Sequence, residues 1–193
     1  MSIIDERFHE LIDLIPRFKE QSENTITVAS KMIVSAFKSG NKILICGNGG
    51  SAADSQHFAA EFVNAFSRSI TRKGLPALAL TTDSSVMTSI GNDFAFENIF
   101  SRQVEAYSKP GDILIVLTTS GSSLNCINAI LEAKRSGVLC IALTRTEARV
   151  SEFVDLTIEV PSKNTQHIQE CHILAYHVIT ELVEKELFEG AES

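Results

Sequence analysis

The chain has 193 residues, of which 44% are hydrophobic and 21% charged, a composition typical of one globular domain. Its formal net charge of −7 argues against a nucleic-acid-binding surface. The sequence has no apolar run of the roughly 18 residues that a membrane span needs, and no apolar signal core, so we expect no membrane contact and a cytoplasmic location. The four cysteines form no CxxC pair and are expected to be buried, reduced thiols.

The first part of the chain predicts helices. Apolar residues between 8 and 15 recur at helical spacing until Pro16 interrupts the pattern. A second apolar stripe runs from 26 to 37 and ends before a glycine that can close a helix. We expect residues 1–40 to form a helical segment that packs on the core and in an oligomer, and residues 41–193 to form an α/β domain.

Apolar runs of strand length alternate with helical patterns in the rest of the chain. Because the runs are apolar throughout, they predict strands that are buried on both faces, as in a parallel sheet covered by helices. We therefore expect an α/β fold with one five-stranded parallel sheet. The predicted strands are 43–46, 77–80, 113–117, 139–143 and 156–160, and the predicted helices lie near 52–66, 95–107, 123–136 and 166–188.

A glycine-rich turn follows the first predicted strand. Residues 47–51 read Gly-Asn-Gly-Gly-Ser and lead into a predicted helix. In an open parallel sheet, ligands bind outside the carboxyl ends of the strands, and free backbone N–H groups at a helix start attract phosphate. The turn lacks the third glycine of a dinucleotide fingerprint and the Gly-Lys-Ser/Thr of a Walker A loop. We therefore expect a phosphorylated polar ligand and no nucleotide cofactor.

A hydroxyl-rich turn follows the third predicted strand. Residues 118–123 read Thr-Thr-Ser-Gly-Ser-Ser and also precede a predicted helix. One helix cap with a polar loop would account for a single hydroxyl, but the turn holds more of them than one cap needs. Neutral donors of this kind suit a sugar phosphate that must bind and then leave.

The helix after the glycine turn carries an imidazole and a carboxylate on one face. His57 and Glu61 are four residues apart, and Asp54 lies one turn earlier. Such a pair can share a metal ion or divide proton transfers. The alternative is a surface pair worth only about 0.2–0.5 kcal/mol.

The last predicted helix holds three histidines, His167, His172 and His177. Glu170 and His177 are seven residues apart and lie nearly above one another on a helix. A single histidine in a helix is most often a satisfied surface or core residue, and spacing alone does not choose among the three.

Two polar segments predict ordinary surface structure. Residues 91–94 read Gly-Asn-Asp-Phe, which is typical of a helix-capping turn. Arg68, Arg72 and Lys73 form the most notable basic cluster, which we interpret as a solvated loop.

Taken in chain order, these motifs resemble the phosphoheptose isomerase family, whose members have a sugar-isomerase (SIS) domain. The resemblance covers residues 5 to 188, and the hydroxyl-rich loop is its less specific part because all SIS domains share it. The set of His57 and Glu61 with Gln169 and His177 is more specific. The segments that carry the resemblance are 47–51, His57-Phe58-Ala59-x-Glu61, 91–94, the Thr-Thr-Ser-Gly-x-Ser loop, and Ile168-Gln169-Glu170 with His177.

The resemblance implies a single SIS-type domain and an aldose–ketose isomerase. Its members convert sedoheptulose 7-phosphate to D-glycero-D-manno-heptose 7-phosphate, the first step toward activated heptose for bacterial lipopolysaccharide core or other surface glycans. It implies that Glu61 moves a proton between C1 and C2 through an enediol, and that His177 is the partner acid/base at the sugar oxygens. It also implies a homotetramer whose sites lie between subunits.

Site residues follow from the same resemblance. Some members bind one zinc ion (Zn²⁺) per subunit, which here would be held by His57, Glu61, Gln169 and His177. The positions that match substrate contacts are Asn48, Gly49, Gly50, Ser51, Glu61, Asn92, Asp93, Thr118, Thr119, Ser120, Ser123 and Gln169.

The sequence departs from the family pattern at two places. The loop reads Thr-Thr-Ser-Gly-Ser-Ser where Ser-Thr-Ser-Gly-Asn-Ser is typical, and Asn-Ala-Phe stands at 64–66 where many members have an arginine. The first change keeps small polar groups, whereas the second puts fine substrate contacts in doubt.

Two alternatives to an isomerase are open at this point. One is a non-catalytic SIS protein that acts through protein contacts, such as a regulator of replication initiation; the presence of His57, Glu61 and His177 argues against it. The other is a sugar-phosphate-sensing regulator, but residues 1–40 are too short and insufficiently basic for a DNA-binding module.

Overall fold

Residues 2–188 are described by the structure, a computed structural model. Met1 and residues 189–193, the ends of the two predicted segments, lie outside the described residues. The strands are β1 Ile43–Gly47, β2 Ala77–Ala79, β3 Ile113–Leu117, β4 Leu139–Arg145 and β5 Leu156–Val160. The helices are α1 Ile3–Lys38, α2 Gly50–Val63, α3 Ser84–Asp93, α4 Ser101–Tyr107, α5 Leu124–Arg135 and α6 Thr165–Phe188, with 3₁₀ turns at Phe96–Asn98 and Arg149–Glu152.

All five strands are parallel, in the order β2-β1-β3-β4-β5. Every residue of β1 and β3 is buried, because alternate side chains of these strands enter two separate apolar layers. Ile43 packs toward α1, α2 and α6, and Leu44 packs toward α4 and α5. The predicted α/β fold with a five-stranded parallel sheet is confirmed.

The order of the strands places the two small-residue turns side by side. β1 and β3 are direct neighbours, and Gly47 at the end of β1 is in register with Leu117 at the end of β3. Both turns therefore leave the same edge of the sheet at adjacent positions, as the ligand sites of parallel sheets do.

Helix α1 runs without interruption for 36 residues, so the predicted break at Pro16 is wrong. Proline removes one helical hydrogen bond, but Pro16 is on the exposed face, where water can bind the freed carbonyl. Leu14 and Phe18 on either side are buried in the core and hold both halves in line. The predicted end is confirmed: Gly40 has φ +73°, and the next amide donates to Ala36 O, which closes a Schellman cap.

The segment predicted as a capping turn at 91–94 is instead the end of helix α3, except for Phe94, which follows it. The carboxylate of Asp83 caps the start of this helix by accepting from Val86 N at 2.9 Å. The sequence did not reveal this helix because its apolar contacts are few: Ile90 is buried, Val86 and Met87 are partly buried, and three residues are too few for a clear helical stripe.

Two findings bear on the expected surroundings of the protein. Among residues 2–188, no helix is long and apolar enough to cross a membrane. All four cysteines are buried and unpaired, as predicted.

Candidate active site

The glycine turn is shaped by close approaches that only glycine permits. A side-chain carbon at Gly47 would lie 2.7 Å from Ser51 O and 2.8 Å from Leu117 O. A side-chain carbon at Gly50 would lie 2.5 Å from Nε2 of Gln169, so the side chain of this α6 residue lies directly over the turn. The glycines therefore bring α6 against the start of α2.

A reciprocal amide pair joins the two turns. Nδ2 of Asn48 donates to Oδ1 of Asn125 at 2.9 Å, and Nδ2 of Asn125 donates to Oδ1 of Asn48 at 2.8 Å. Asn125 is buried in the first turn of α5, and our sequence analysis did not name it. Its only signal in the sequence is its position just inside a helix that follows a phosphate-type turn. Asn48, predicted as a substrate contact, already binds Asn125 through both ends of its side-chain amide.

The hydroxyl-rich loop divides into residues that build it and residues that face outward. Oγ1 of the buried Thr118 accepts from Gly121 N at 3.1 Å and fixes the turn. Ser123 is the residue before α5, but its hydroxyl makes no capping bond, and the side chain of Ser120 is exposed. The oxygen of Ser120 accepts from Ser122 N at 3.3 Å, which leaves its hydroxyl proton to donate, so Ser120 and Ser123 can both donate to a ligand at a helix N-terminus.

Across from these turns, α2 and α6 bring three metal-ligating side chains together. Nε2 of His57 lies 2.9 Å from Oε1 of Glu61, and the ring centroid of His177 lies 5.1 Å from that of His57. One ligand atom from each of the three residues lies within 4.8 Å of the other two. We call His57, Glu61 and His177 the triad.

Burial shifts the pKa of one member of the triad, His177, and of the neighbouring Asp54. Burial lowers the pKa of His177, and His57 adds to this effect while Glu61 opposes it. The ring of His177 is therefore neutral at pH 7 and can offer a lone pair to a metal or accept a proton. Burial raises the pKa of the Asp54 carboxyl, one turn before His57.

A buried ion pair between Arg72 and Glu184 lies at the carboxyl end of α2, where Arg72 binds the backbone of Glu61. The side chain of Arg72 donates to the carbonyls of Glu61 at 2.9 Å and Phe62 at 2.8 Å. Its Nε donates to Oε1 of Glu184 on α6 at 2.6 Å, and both side chains are buried. Helix carbonyls and a carboxylate attract a cation at this end of a helix.

The predicted solvated loop is therefore wrong for Arg72, although Arg68 and Lys73 are exposed as expected. Our sequence analysis missed Glu184 as well. The sequence signal for Glu184 was its position seven residues after His177, which places it on the same, largely buried side of α6.

Gln169, the fourth predicted metal ligand, is not brought to the triad within one chain. It is eight residues before His177, which is about 12 Å along the helix axis. Its side chain lies over Gly50, at the other end of α2 from Glu61. This position favours a contact with a ligand bound at the glycine turn.

Asn92 and Asp93 also lie apart from the triad. Nδ2 of Asn92 donates to Oδ1 of Asp93 at 2.8 Å, and both residues are exposed at the end of α3. Within residues 2–188, neither makes a hydrogen bond to the triad or to the two turns.

The other two histidines of α6 have structural surroundings. His167 lies between Glu10 at 2.9 Å and Glu170 at 2.7 Å, and its pKa is raised mainly by the hydrogen bond to Glu170. His172 is buried in the core, where burial lowers its pKa to about 4. Of the three histidines of α6, His177 is the one that lies beside His57 and Glu61 of α2.

Residues 7–145 match the family model of the SIS domain. Together with the parallel sheet and the small-residue turns at its carboxyl edge, this match makes the chain a SIS-domain protein.

The relatives define a narrower group. The chain is 46% identical over 188 residues to a phosphoheptose isomerase of Roseiflexus sp. (strain RS-1), covering 97% of this chain and 94% of that protein. A solved phosphoheptose isomerase from Neisseria gonorrhoeae is 36% identical with a TM-score of 0.89, and covers 94% of this chain and 97% of its own. A solved phosphoheptose isomerase from Francisella tularensis is 35% identical with a TM-score of 0.91. That match covers 96% of this chain and 100% of the Francisella chain. The chain belongs to the phosphoheptose isomerase family of sugar-phosphate isomerases, which confirms the resemblance.

Proposed function

We propose that this protein interconverts sedoheptulose 7-phosphate and D-glycero-D-manno-heptose 7-phosphate, the opening step of activated-heptose synthesis for bacterial surface glycans. The observation that carries the proposal is the triad, in which a carboxylate and two imidazoles meet at α2, the helix that begins at the glycine turn. A non-catalytic SIS protein has no need for such a cluster. The named relatives, all phosphoheptose isomerases, support the same function.

Proton transfer is assigned to Glu61 and His177. The carboxylate of Glu61 removes a proton from C1 of the ketose, while His177, kept neutral by burial and by His57, takes the proton of O1 and gives it to O2, which gives the ionised enediol. Glu61 then returns its proton to C2, which gives the aldose and leaves both side chains in their starting states. No atom is gained or lost, as an isomerisation requires.

The phosphate is assigned to the hydroxyl-rich loop. Thr119, Ser120 and Ser123 supply hydroxyls, and the N-terminus of α5 supplies backbone donors and a positive dipole end. Anchoring the distant phosphate holds the reacting carbons in place beside the triad. The remaining sugar contacts are assigned to the backbone of the glycine turn, residues 48–51, and to Gln169 above it.

The triad also fits a zinc ion. Its donor set of two nitrogens and one oxygen is typical of catalytic zinc sites with three protein ligands, and the neutral state of His177 leaves a lone pair for the metal. When bound, zinc would polarise the sugar carbonyl. Glu61 cannot be a tight ligand and a free proton carrier at once, so the two roles compete unless the carboxylate shifts during turnover.

The assembly is assigned as a homotetramer with sites between subunits. The first half of α1 carries four large apolar side chains that are 63–71% exposed, too many for a free helix surface. A second apolar stripe is exposed on α6, and symmetric copies of the chain would cover both. The residues of the two stripes are Ile3, Ile4, Phe8 and Ile12 on α1, and Leu174, Val178 and Leu182 on α6. Static light scattering tests the assignment, and a monomer at micromolar concentration contradicts it.

The working compartment is assigned as the cytoplasm, where the four buried thiols stay reduced.

The decisive experiment is direct. The protein, with and without added zinc, is incubated with sedoheptulose 7-phosphate, and the anomeric proton of the aldose phosphate is followed by NMR. We expect an equilibrium mixture of ketose and aldose. If no aldose forms under either condition, the proposed function is wrong.

A further inference from the structure

Tyr176 packs against both histidines of the triad, and the reaction described above makes no use of it. Its side chain is fully buried and stacks on Phe58, with ring centroids 4.9 Å apart and an angle of 18°. It meets His57 and His177 edge-on, at 5.5 Å and 4.9 Å. A phenylalanine would fill this space equally well, so packing alone gives no reason for the hydroxyl.

The hydroxyl of Tyr176 has one specific partner. It lies 2.9 Å from Nδ1 of His57, and the opposite ring nitrogen, Nε2, lies 2.9 Å from Oε1 of Glu61. The side chain of His57 is otherwise 48% exposed. Within the described residues, its ring is therefore held by two hydrogen bonds, one to Tyr176 and one to Glu61.

These two bonds determine which nitrogen of His57 carries the proton. A neutral imidazole has one donor and one acceptor nitrogen. Beside the carboxylate of Glu61, which can only accept, Nε2 carries the proton and the tyrosine hydroxyl donates to Nδ1. When a metal takes the lone pair of Nε2, Nδ1 carries the proton instead and donates to the tyrosine oxygen. Histidines that bind metals commonly have such a fixed partner on the second nitrogen.

We propose that Tyr176 is a positioning residue of the isomerase site, whose hydroxyl fixes the orientation and tautomer of His57 and so directs Nε2 toward Glu61 and a bound metal. This inference rests on the proposed function for its catalytic consequence. The control of His57 by Tyr176 does not depend on which substrate the protein binds.

The test compares Tyr176→Phe with Tyr107→Phe, the other tyrosine of the chain, which is 45% exposed at the end of α4. Four quantities are measured in each variant: the His57 ring ¹⁵N shifts in zinc-free protein, the zinc dissociation constant by competition with a chromophoric chelator, the separate kcat and KM values, and the thermal midpoint. In Tyr176→Phe we expect changed His57 shifts, zinc binding weaker by about 10- to 100-fold, a lower kcat and an unchanged KM. Tyr107→Phe should match the wild type throughout.

Several outcomes overturn the inference. One is a Tyr176→Phe protein whose His57 shifts, zinc affinity and kcat all equal those of the wild type. A second contrary outcome needs only the wild type. If its His57 ¹⁵N shifts report a free average of both tautomers, the hydroxyl of Tyr176 does not fix the tautomer of His57. A wild type with no activity on sedoheptulose 7-phosphate, but with His57 shifts that depend on Tyr176, would refute the proposed function and leave the control of His57 standing.

Discussion

The anchor and the reaction centre of this site are built in opposite ways. The hydroxyl-rich loop is one continuous stretch of chain, fixed by a bond between Thr118 and Gly121 three residues apart. The triad is assembled from helices α2 and α6, so that His57 and His177 are 120 residues apart in the sequence. A local anchor depends on its own residues, whereas the reaction centre depends on everything that holds the two helices together.

The largest expected effect comes from removing the base at the reaction centre. Glu61→Gln keeps the shape of the side chain but cannot accept a proton, so kcat should fall by about 10³-fold while the affinity for substrate changes little. Steady-state kinetics on the purified variant measure this. The matched control, Glu105→Gln, removes an exposed carboxylate of α4 and should keep full activity. A folded Glu61→Gln enzyme with near-normal turnover would contradict the assigned base.

The next effect concerns what holds the two helices together. Arg72→Gln leaves Glu184 as an uncompensated buried charge and should lower the free energy of unfolding by about 3 kcal/mol. It should also lower kcat, because the carbonyl of Glu61 loses a donor. Urea unfolding measures the first change. Arg102→Gln, which breaks an exposed ion pair with Glu105 and a cation–π contact with Phe94, should cost less than about 1 kcal/mol. Equal costs for both variants would show that Arg72 is not needed behind the triad.

Changes in the hydroxyl-rich loop should affect substrate binding more than the rate of proton transfer. Ser120→Ala combined with Ser123→Ala removes the two available hydroxyls and should raise KM by about 30-fold, near 2 kcal/mol, with a smaller change in kcat. Ser136→Ala, at the opposite end of α5, serves as the control. The loop would lose its assignment to phosphate if the inhibition constant for inorganic phosphate stayed the same in the double variant.

The smallest effect lies outside both regions, where His167 bridges α1 and α6. Its pKa is raised in the folded protein, so the stabilisation is present below the ordinary histidine pKa and is lost as pH rises through the folded value. Both carboxylate partners are more than a third exposed, so screening limits the contribution to about 0.5 kcal/mol. His167→Gln should therefore lower the thermal midpoint more at pH 5.5 than at pH 8.5. His9→Gln on the exposed side of α1 should show no such difference, and a larger loss at pH 8.5 for His167→Gln would reverse the sign assigned here.

The same contrast explains what the sequence could predict. The apolar strands, the glycine turn and the hydroxyl-rich loop depend on neighbouring residues, and short patterns specify them. The pairing of Asn48 with Asn125 and of Arg72 with Glu184 depends on chain segments more than 70 residues apart. No local pattern marks these partners, so Arg72 was interpreted as a solvated residue and Asn125 was missed.

The errors in secondary structure have a related cause. Pro16 disfavours a helix interior, but tertiary contacts on both sides of it outweigh the loss of one hydrogen bond. Helix α3 has too few buried residues to produce a periodic signal. Spacing alone gave the members of the triad only as separate candidates, because it cannot say which histidine of α6 faces α2; the family resemblance grouped them.

Helix α6 has a consequence for how the site moves. It places Gln169 over the glycine turn, His177 in the triad and Glu184 against Arg72, at intervals of about 12 and 10 Å along one axis. A rigid rod with three points of attachment cannot adjust one of them alone. Any tilt or slide of α6 would move the proposed sugar contact, the proposed proton carrier and the support behind Glu61 together, so the site is expected to change as one unit.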